Sequence, residues 1–279
     1  MIPAEFDYVR AGSVEEASTL LRDNGEDAKL LAGGHSLLPL MKLRLAAPSL
    51  LIDIGRVDGL RGVQRNGDVR IGALTTHAEV ARSGLGIVSE AAAGIADPQV
   101  RHRGTLGGTL AHGDPASDLP AVVLALDGTI VAEGAGARRE IAARDFFVDY
   151  LMTALEPNEV VTEVRIPDPT GFGGGHEKFN RRKEDWAMVA VTAFVKQDGG
   201  TVSDVRIGLT HMAGTPLRAT AAEDALRGQP LNEESISRAA ALAADGTNPP
   251  ADLNASSDYK RHLAQVLCKR ALHQAASTT

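Results

Sequence analysis

The sequence holds a single cysteine, Cys268, among 279 residues. One thiol cannot close an internal disulfide, ligate an iron–sulfur cluster or build a cysteine-rich zinc site. A basic excess is also missing: 29 Lys and Arg stand against 36 Asp and Glu, a formal net charge of −7. Nucleic-acid and anionic-membrane binders need clustered positive charge, and the one basic run, KFNRRK at 178–183, is too short to supply it. No stretch approaches the roughly 18 uncharged apolar residues of a spanning helix. The opening MIPAEFDYVRAG lacks the basic and apolar regions of a signal peptide, so a cytoplasmic protein is expected. Familiar signatures are absent too. There is no G-x-x-x-x-G-K-S/T, no G-x-G-x-x-G with a downstream acid and no G-x-S-x-G. These absences argue against a Walker NTPase, a Rossmann site and a nucleophile-elbow hydrolase. His35, His102 and His112 fit no helical H-x-x-x-H spacing and point to no metal site.

What is present reads as mixed strands and helices, in two domains or one elaborated α/β domain. Ser13 and Glu16 form an S-x-x-E capping box ahead of Val14, Ala17, Leu20 and Leu21 on one helical face. Short apolar runs at 28–32 and 50–54 are bounded by Gly and Pro as buried strands are, so residues 1–55 read as a strand–helix–strand unit. Strand character recurs at 69–73, 129–132 and 160–166, with a second capping box at Thr76 and Glu79. Residues 119–126 read as a helix with Ser117 or Asp118 as N-cap. PDPTGFGGG at 167–175 is the best domain boundary. Beyond it, runs at 186–195 and 202–209 flank QDGG as a hairpin, and helices are expected over 217–227, 233–244 and 257–274. That order gives an α+β C-terminal domain.

Two Gly-rich segments carry the functional signal: LLAGGHSLLPLMK at 30–42 and RHRGTLGGTLAHGDPASD at 101–118. Glycines let backbone N–H groups converge and let a ligand approach without meeting a Cβ, which suits phosphate oxygens. The competing reading is a pair of tight turns that need glycine only for positive φ. Asp118 would repel a phosphate but suits a ribose or ribityl hydroxyl; otherwise it is a plain helix N-cap. Lys178, in EKFNRRKEDWAMV at 177–189, is either a cation beside a bound ligand or part of a solvated basic edge. Trp186, the one tryptophan, is of a type that more often fills a core than stacks on a cofactor.

AGGHSLLPLMKLRL, RGTLGGTLAHGDPASDLP and EKFNRRKEDWAMV, in this order, resemble the FAD-binding medium subunit of the molybdenum hydroxylases, the xanthine dehydrogenase and carbon monoxide dehydrogenase group. The tail SSDYKRHLAQVLCKRAL resembles that family's C-terminal helix. The resemblance implies an α+β protein with the vanillyl-alcohol-oxidase-type FAD fold. Its parts would be FAD subdomains at 1–55 and 56–172 and a C-terminal domain at 173–279. It further implies that Ala32, Gly33, Gly34, His35 and Ser36, with Thr105, Gly107, Gly108 and Thr109, hold the diphosphate. Asp118 would meet the ribityl or ribose region, Lys178 the flavin, Val161 a backbone contact, and Ala73 would fall nearby. Thr109 and His112-Gly113 depart mildly from the family pattern. FAD would be non-covalent. By the same resemblance the molybdenum cofactor lies on a large molybdopterin subunit and 2Fe-2S clusters on a small one, two copies of each chain forming a heterohexamer. FAD would take electrons singly and release them as a pair, with no catalytic acid, base or nucleophile on this chain. The resemblance leaves the final acceptor open between NAD, oxygen, a quinone and another carrier. The alternatives are a stand-alone FAD oxidoreductase of the same fold and a non-redox nucleotide- or phosphate-binding module.

Overall fold

The computed structural model describes residues 2–134 and 136–278. Three main sheets and one two-stranded hairpin follow one another along the chain, packed around three buried clusters. The first unit comprises β1 (Asp7–Arg10), α1 (Val14–Asn24), β2 (Ala28–Leu31), α2 (Leu37–Lys42) and β3 (Leu50–Asp53). Its strands are parallel, in the order β1-β3-β2. Ser13 caps α1 by accepting from the Glu16 N–H, while the Glu16 carboxylate reaches past Ser13 to the Gly12 N–H at 2.7 Å. Ala17 and Leu21 on α1 share a buried cluster with Ile52 and Ile54. Parallel strands put the loops after β1, β2 and β3 at one edge, where ligands of α/β units bind.

The second unit runs β4 (Val63–Asn66), β5 (Asp68–Gly72), α3 (His77–Arg82), α4 (Ile87–Ala93), α5 (Pro98–Arg101), α6 (Leu106–His112) and α7 (Asp118–Ala125). It continues with β6 (Thr129–Gly134), β7 (Ala137–Ala142), α8 (Ala143–Phe146), the small hairpin β8 (Phe147–Asp149) and β9 (Met152–Thr153), and β10 (Val160–Ile166). The main sheet is antiparallel, ordered β4-β5-β10-β6-β7, and α1 packs against β6 and β10 to join the two units. Thr162 is the extra residue of a bulge in β10, because Val161 pairs with Ala132 and Glu163 with Val131. Its carbonyl accepts the Ala73 N–H at 2.9 Å.

The third unit contains β11 (Gly173–Phe179), β12 (Val189–Asp198), β13 (Thr201–Thr210), β14 (Leu217–Arg218), α9 (Thr220–Leu226), α10 (Glu233–Ala241) and α11 (Ser257–Ser277). The antiparallel sheet β11-β12-β13-β14 lies under α11 on one face and meets α4 and α7 on the other. At Gly208 the approach to α7 is so close that a Cβ would meet the Ala121 carbonyl at 2.3 Å. Sandwiched this way, α7 is buried at all eight positions. A helix apolar all round is what two-sided burial requires, and Asp118 is its one charged exception.

Two element starts lie three residues later than expected, and the last two helices end at Ala241 and Ser277 instead of 244 and 274. The helix expected from 217 begins at Thr220, because Leu217 and Arg218 pair with Leu209 and Gly208 to finish the sheet edge. The strand expected from 186 begins at Val189, after an arm at 180–187. Among the described residues, no helix is long and apolar enough to cross a membrane.

Candidate functional site

The first Gly-rich loop leaves β2 at the ligand edge of the parallel sheet. Gly34 adopts φ of +81°, a conformation that costs glycine nothing. Among the described residues, the N–H groups of Gly33, Gly34, His35 and Ser36 donate to no protein acceptor, so this loop presents open amides. Gly33 also rests directly on the second Gly-rich segment: a Cβ there would lie 2.2 Å from the Arg103 carbonyl oxygen and 3.0 Å from Gly104 Cα. The two motifs, about 70 residues apart, therefore meet.

The second segment is not a loop but the start of α6. Thr105 is the N-cap, with Oγ1 accepting the Gly108 N–H at 3.1 Å. The Leu106 N–H donates to Thr75 O at 3.0 Å, Gly107 to Ala73 O at 2.8 Å and Thr109 to Thr105 O at 3.0 Å. All four amides are thus spent inside the fold. What this segment offers is close approach and hydroxyls. Gly107 lies against Ala73, where an added Cβ would sit 2.5 Å from the alanine methyl. Ala73 is in turn tied to the bulge beside Val161, so Ala73, Gly107 and Val161 come together.

Beside Ala32 and Thr105 opens a cavity of about 360 Å³ whose wall includes Arg10, Arg56, Arg61 and Arg103. Guanidinium groups match phosphate oxygens in charge and fork geometry. Asp53 is the acid of this wall. Burial raises its pKa, but the Tyr8 hydroxyl, the Gly55 N–H and Arg10 together hold it below the ordinary carboxylate value. Sequence reading missed these arginines. Their signal was position, since Arg10 ends β1 and Arg56 and Arg61 follow β3 at the strand ends where ligands bind.

A second cluster lies where α7 meets the third sheet. Asp118 is not the cap of α7: Ser117 occupies that position, and Asp118 points instead at Lys178. Lys178 Nζ donates to Asp118 Oδ2 at 2.8 Å and to Gly94 O at 3.3 Å. The side chains are only 10% and 6% exposed, so the solvated-edge reading of Lys178 fails as well. Burial pushes the Asp118 pKa up, and the neighbouring ammonium pulls it part of the way back. Asp118 Oδ1, Ser117 Oγ and His176 Nε2 are buried with no partner among the described residues. Unpaired buried polar atoms each cost about 1–3 kcal/mol, so a group of them marks a place for a polar ligand. His176, on the same face of β11 as Lys178, has its pKa pushed down to about 4 by burial and then by Lys178. His77, packed against Gly104, has its pKa lowered to about 4 by burial and then by the charges of His35 and Arg101.

Near Gly94, Ala96 holds φ of +41°, a strained value for alanine, and Arg101 braces it by donating to Ile95 O at 2.7 Å and Ala96 O at 2.8 Å. Nothing in an alanine announces this. His102 lines the arginine-walled cavity, while His112 closes α6 away from it. Among the described residues no group of three His, Cys, Asp or Glu could hold a metal ion. Trp186 is 58% exposed on the arm at 180–187 and fills no core.

Open amides, an arginine wall and an orphaned carboxylate oxygen beside a lysine fit a ligand with a diphosphate, a polyol and a polar ring. The comparisons agree. Residues 4–169 match the model of the FAD binding domain in molybdopterin dehydrogenase, and residues 176–275 that of the CO dehydrogenase flavoprotein C-terminal domain. The carbon monoxide dehydrogenase medium chain of Hydrogenophaga pseudoflava is 44% identical, covering 99% of this chain and 98% of that one. The nicotine 6-hydroxylase medium subunit of Paenarthrobacter nicotinovorans is 40% identical over 98% of each. Among solved structures, carbon monoxide dehydrogenase from Hydrogenophaga pseudoflava lacking the Mo-pyranopterin moiety superposes with a TM-score of 0.96 at 46% identity, over 100% of this chain and 99% of that one. With matches end to end, the chain belongs to the FAD-binding medium subunits of the molybdenum hydroxylases, and it is an oxidoreductase subunit whose cofactor is FAD.

Proposed function

We propose that this chain is the electron-transfer subunit of a multi-subunit molybdenum hydroxylase, taking electrons from 2Fe-2S clusters on a small subunit and passing them to an external acceptor. The observation that carries this reading is the buried Lys178–Asp118 pair with unpartnered polar atoms around it, at the far end of a site that begins with open amides. The amides of Gly33, Gly34, His35 and Ser36 hold the diphosphate from one side. Thr105, Gly107, Gly108 and Thr109 close on it from the other, with Ala32 at the turn. The Val161 backbone meets the flavin, and Ala73 lies near the cofactor. Asp118 Oδ1 accepts from a ribityl hydroxyl. Lys178 stands beside the ring, where an ammonium in a low-dielectric site stabilises arriving negative charge. Bound there without a covalent link, FAD supplies the exchange between single-electron and paired-electron transfer.

Cys268 supports the division of labour. It is fully buried, and burial pushes its thiol up to about 12, so the chain's one sulfur ligand is unavailable to a cluster. The clusters and the molybdenum cofactor then reside on a small and a large subunit, two of each chain assembling. Relatives named as a medium chain and a medium subunit support such an assembly. The chain divides at 1–55, 56–172 and 173–279, each part built around one main sheet, with the first cluster reaching Leu60, Leu74 and Val160 of the second part. Coexpression with candidate large- and small-subunit chains tests the proposal. Copurification, with substrate bleaching the flavin band only when the small subunit is present, is the expected result. Bleaching by an organic substrate in the isolated chain would refute it.

A further inference from the structure

The arm at 180–187 begins two residues beyond Lys178 and carries Trp186 near its end. Its neck is closed by the Met188 N–H, which donates to Phe179 O at 2.9 Å. Beside that neck, the C-terminal end of the arm is held by His211. This residue follows β13 with φ of +64°, a left-handed value few non-glycine residues adopt. Its main-chain N–H donates to Pro115 O at 2.8 Å, three residues before Asp118. Its ring Nδ1 lies 2.9 Å from Ala187 O, and its Nε2 lies 3.3 Å from Lys260 Nζ.

These contacts fix the tautomer. An ammonium can only donate, so Nε2 accepts and the ring proton sits on Nδ1, where it donates to the Ala187 carbonyl. Lys260 comes from α11 and is 0% exposed. Asp252 Oδ2 receives its second hydrogen bond at 2.7 Å, and Asp252 Oδ1 is held by the N–H groups of Asn254 and Ala255 at 2.7 and 3.0 Å. A lysine charge in a core is costly; here Asp252 offsets it, and the ammonium's other hydrogen bond goes to the histidine.

We propose that His211 is a positioning residue for the cofactor site. Held in one tautomer by Lys260, it clasps the arm next to Lys178 onto the segment that leads into Asp118. The clasp rests on the functional reading above, because the two motifs it joins are those proposed to hold the ribityl and flavin parts of FAD.

The test uses the single tryptophan as reporter. His211→Gly keeps the left-handed backbone and its N–H but removes the ring, while His211→Asn tolerates the same backbone and offers a side-chain amide to Ala187 O. In the full chain without cofactor, the glycine variant lowers Trp186 fluorescence anisotropy and raises its quenching by acrylamide, and the asparagine variant restores both. Flavin-fluorescence titration with FAD then shows binding weakened about tenfold in the glycine variant and largely recovered in the asparagine one. Trp186 signals unchanged in a folded His211→Gly chain would overturn the clasp, and so would a loosened arm with unaltered FAD affinity. Wild-type chain that ignores FAD while its arm responds to His211→Gly would count against the functional reading instead.

Discussion

Gly33 faces the Arg103 carbonyl with no room for a methyl group, and this one contact joins the two halves of the proposed diphosphate site. Gly33→Ala must push the loops apart, at about 1–3 kcal/mol for an overpacked contact. Urea unfolding is expected to show that loss, together with FAD affinity reduced at least about tenfold. The Asp118–Lys178 pair behaves differently, because its cost lies in the charge left behind. Lys178→Met strands a buried carboxylate and is expected to destabilise by about 3–5 kcal/mol, whereas Lys178→Met with Asp118→Leu removes both charges and recovers most of that. Equal stability of the single and double variants would show that the two charges are not coupled. Neither the contact at Gly33 nor this pair was legible as such. A helix N-cap and a buried ion-pair partner look alike in sequence, and what separates them is a lysine 60 residues away.

At the scale of elements, local chemistry was readable wherever it decided the outcome. Thr76 and Glu79 make both bonds of the capping box, and the QDGG segment turns through Gly199 and Gly200 at φ of +57° and +83°. The start of α6 was not readable, because two glycines argue against a helix. Tertiary acceptors make it one: Thr75 and Ala73 take the Leu106 and Gly107 amides, and Ala73 leaves space for nothing larger than glycine at 107. The arginine wall escaped for a related reason, since its members come from three separate segments that only the fold assembles. In α11 the buried face places Cys268 against the third sheet. Its thiol, raised to about 12 by burial, is expected to ignore disulfide reagents in the native chain and to react as the C-terminal cluster opens. Labelling at a rate independent of urea below the unfolding transition would contradict that burial.

Across the whole molecule, two buried histidines should set the acid limit of stability. Burial pushes the pKa of His77 and His176 down to about 4 in the fold, from the ordinary imidazole value of 6.5. Between those values the unfolded chain binds more protons, so stability is fully present above about 6.5 and falls as pH drops towards 4, by up to roughly 3 kcal/mol per residue. Asp118 acts in the opposite sense: its raised pKa favours the fold at low pH, and that contribution is lost as pH rises through the folded value. His77→Asn with His176→Asn should flatten the pH dependence of urea midpoints between 4 and 6.5, and an unchanged slope would assign the effect to other groups. The proposed function has this chain alone carrying non-covalent FAD, across its first two units and beside Lys178 of the third. Its most direct test is the absorption spectrum of the purified chain before and after acid precipitation. A flavin spectrum that passes entirely into the supernatant, as FAD by chromatography, is the predicted result. A folded chain that remains colourless and takes up no added FAD would contradict it.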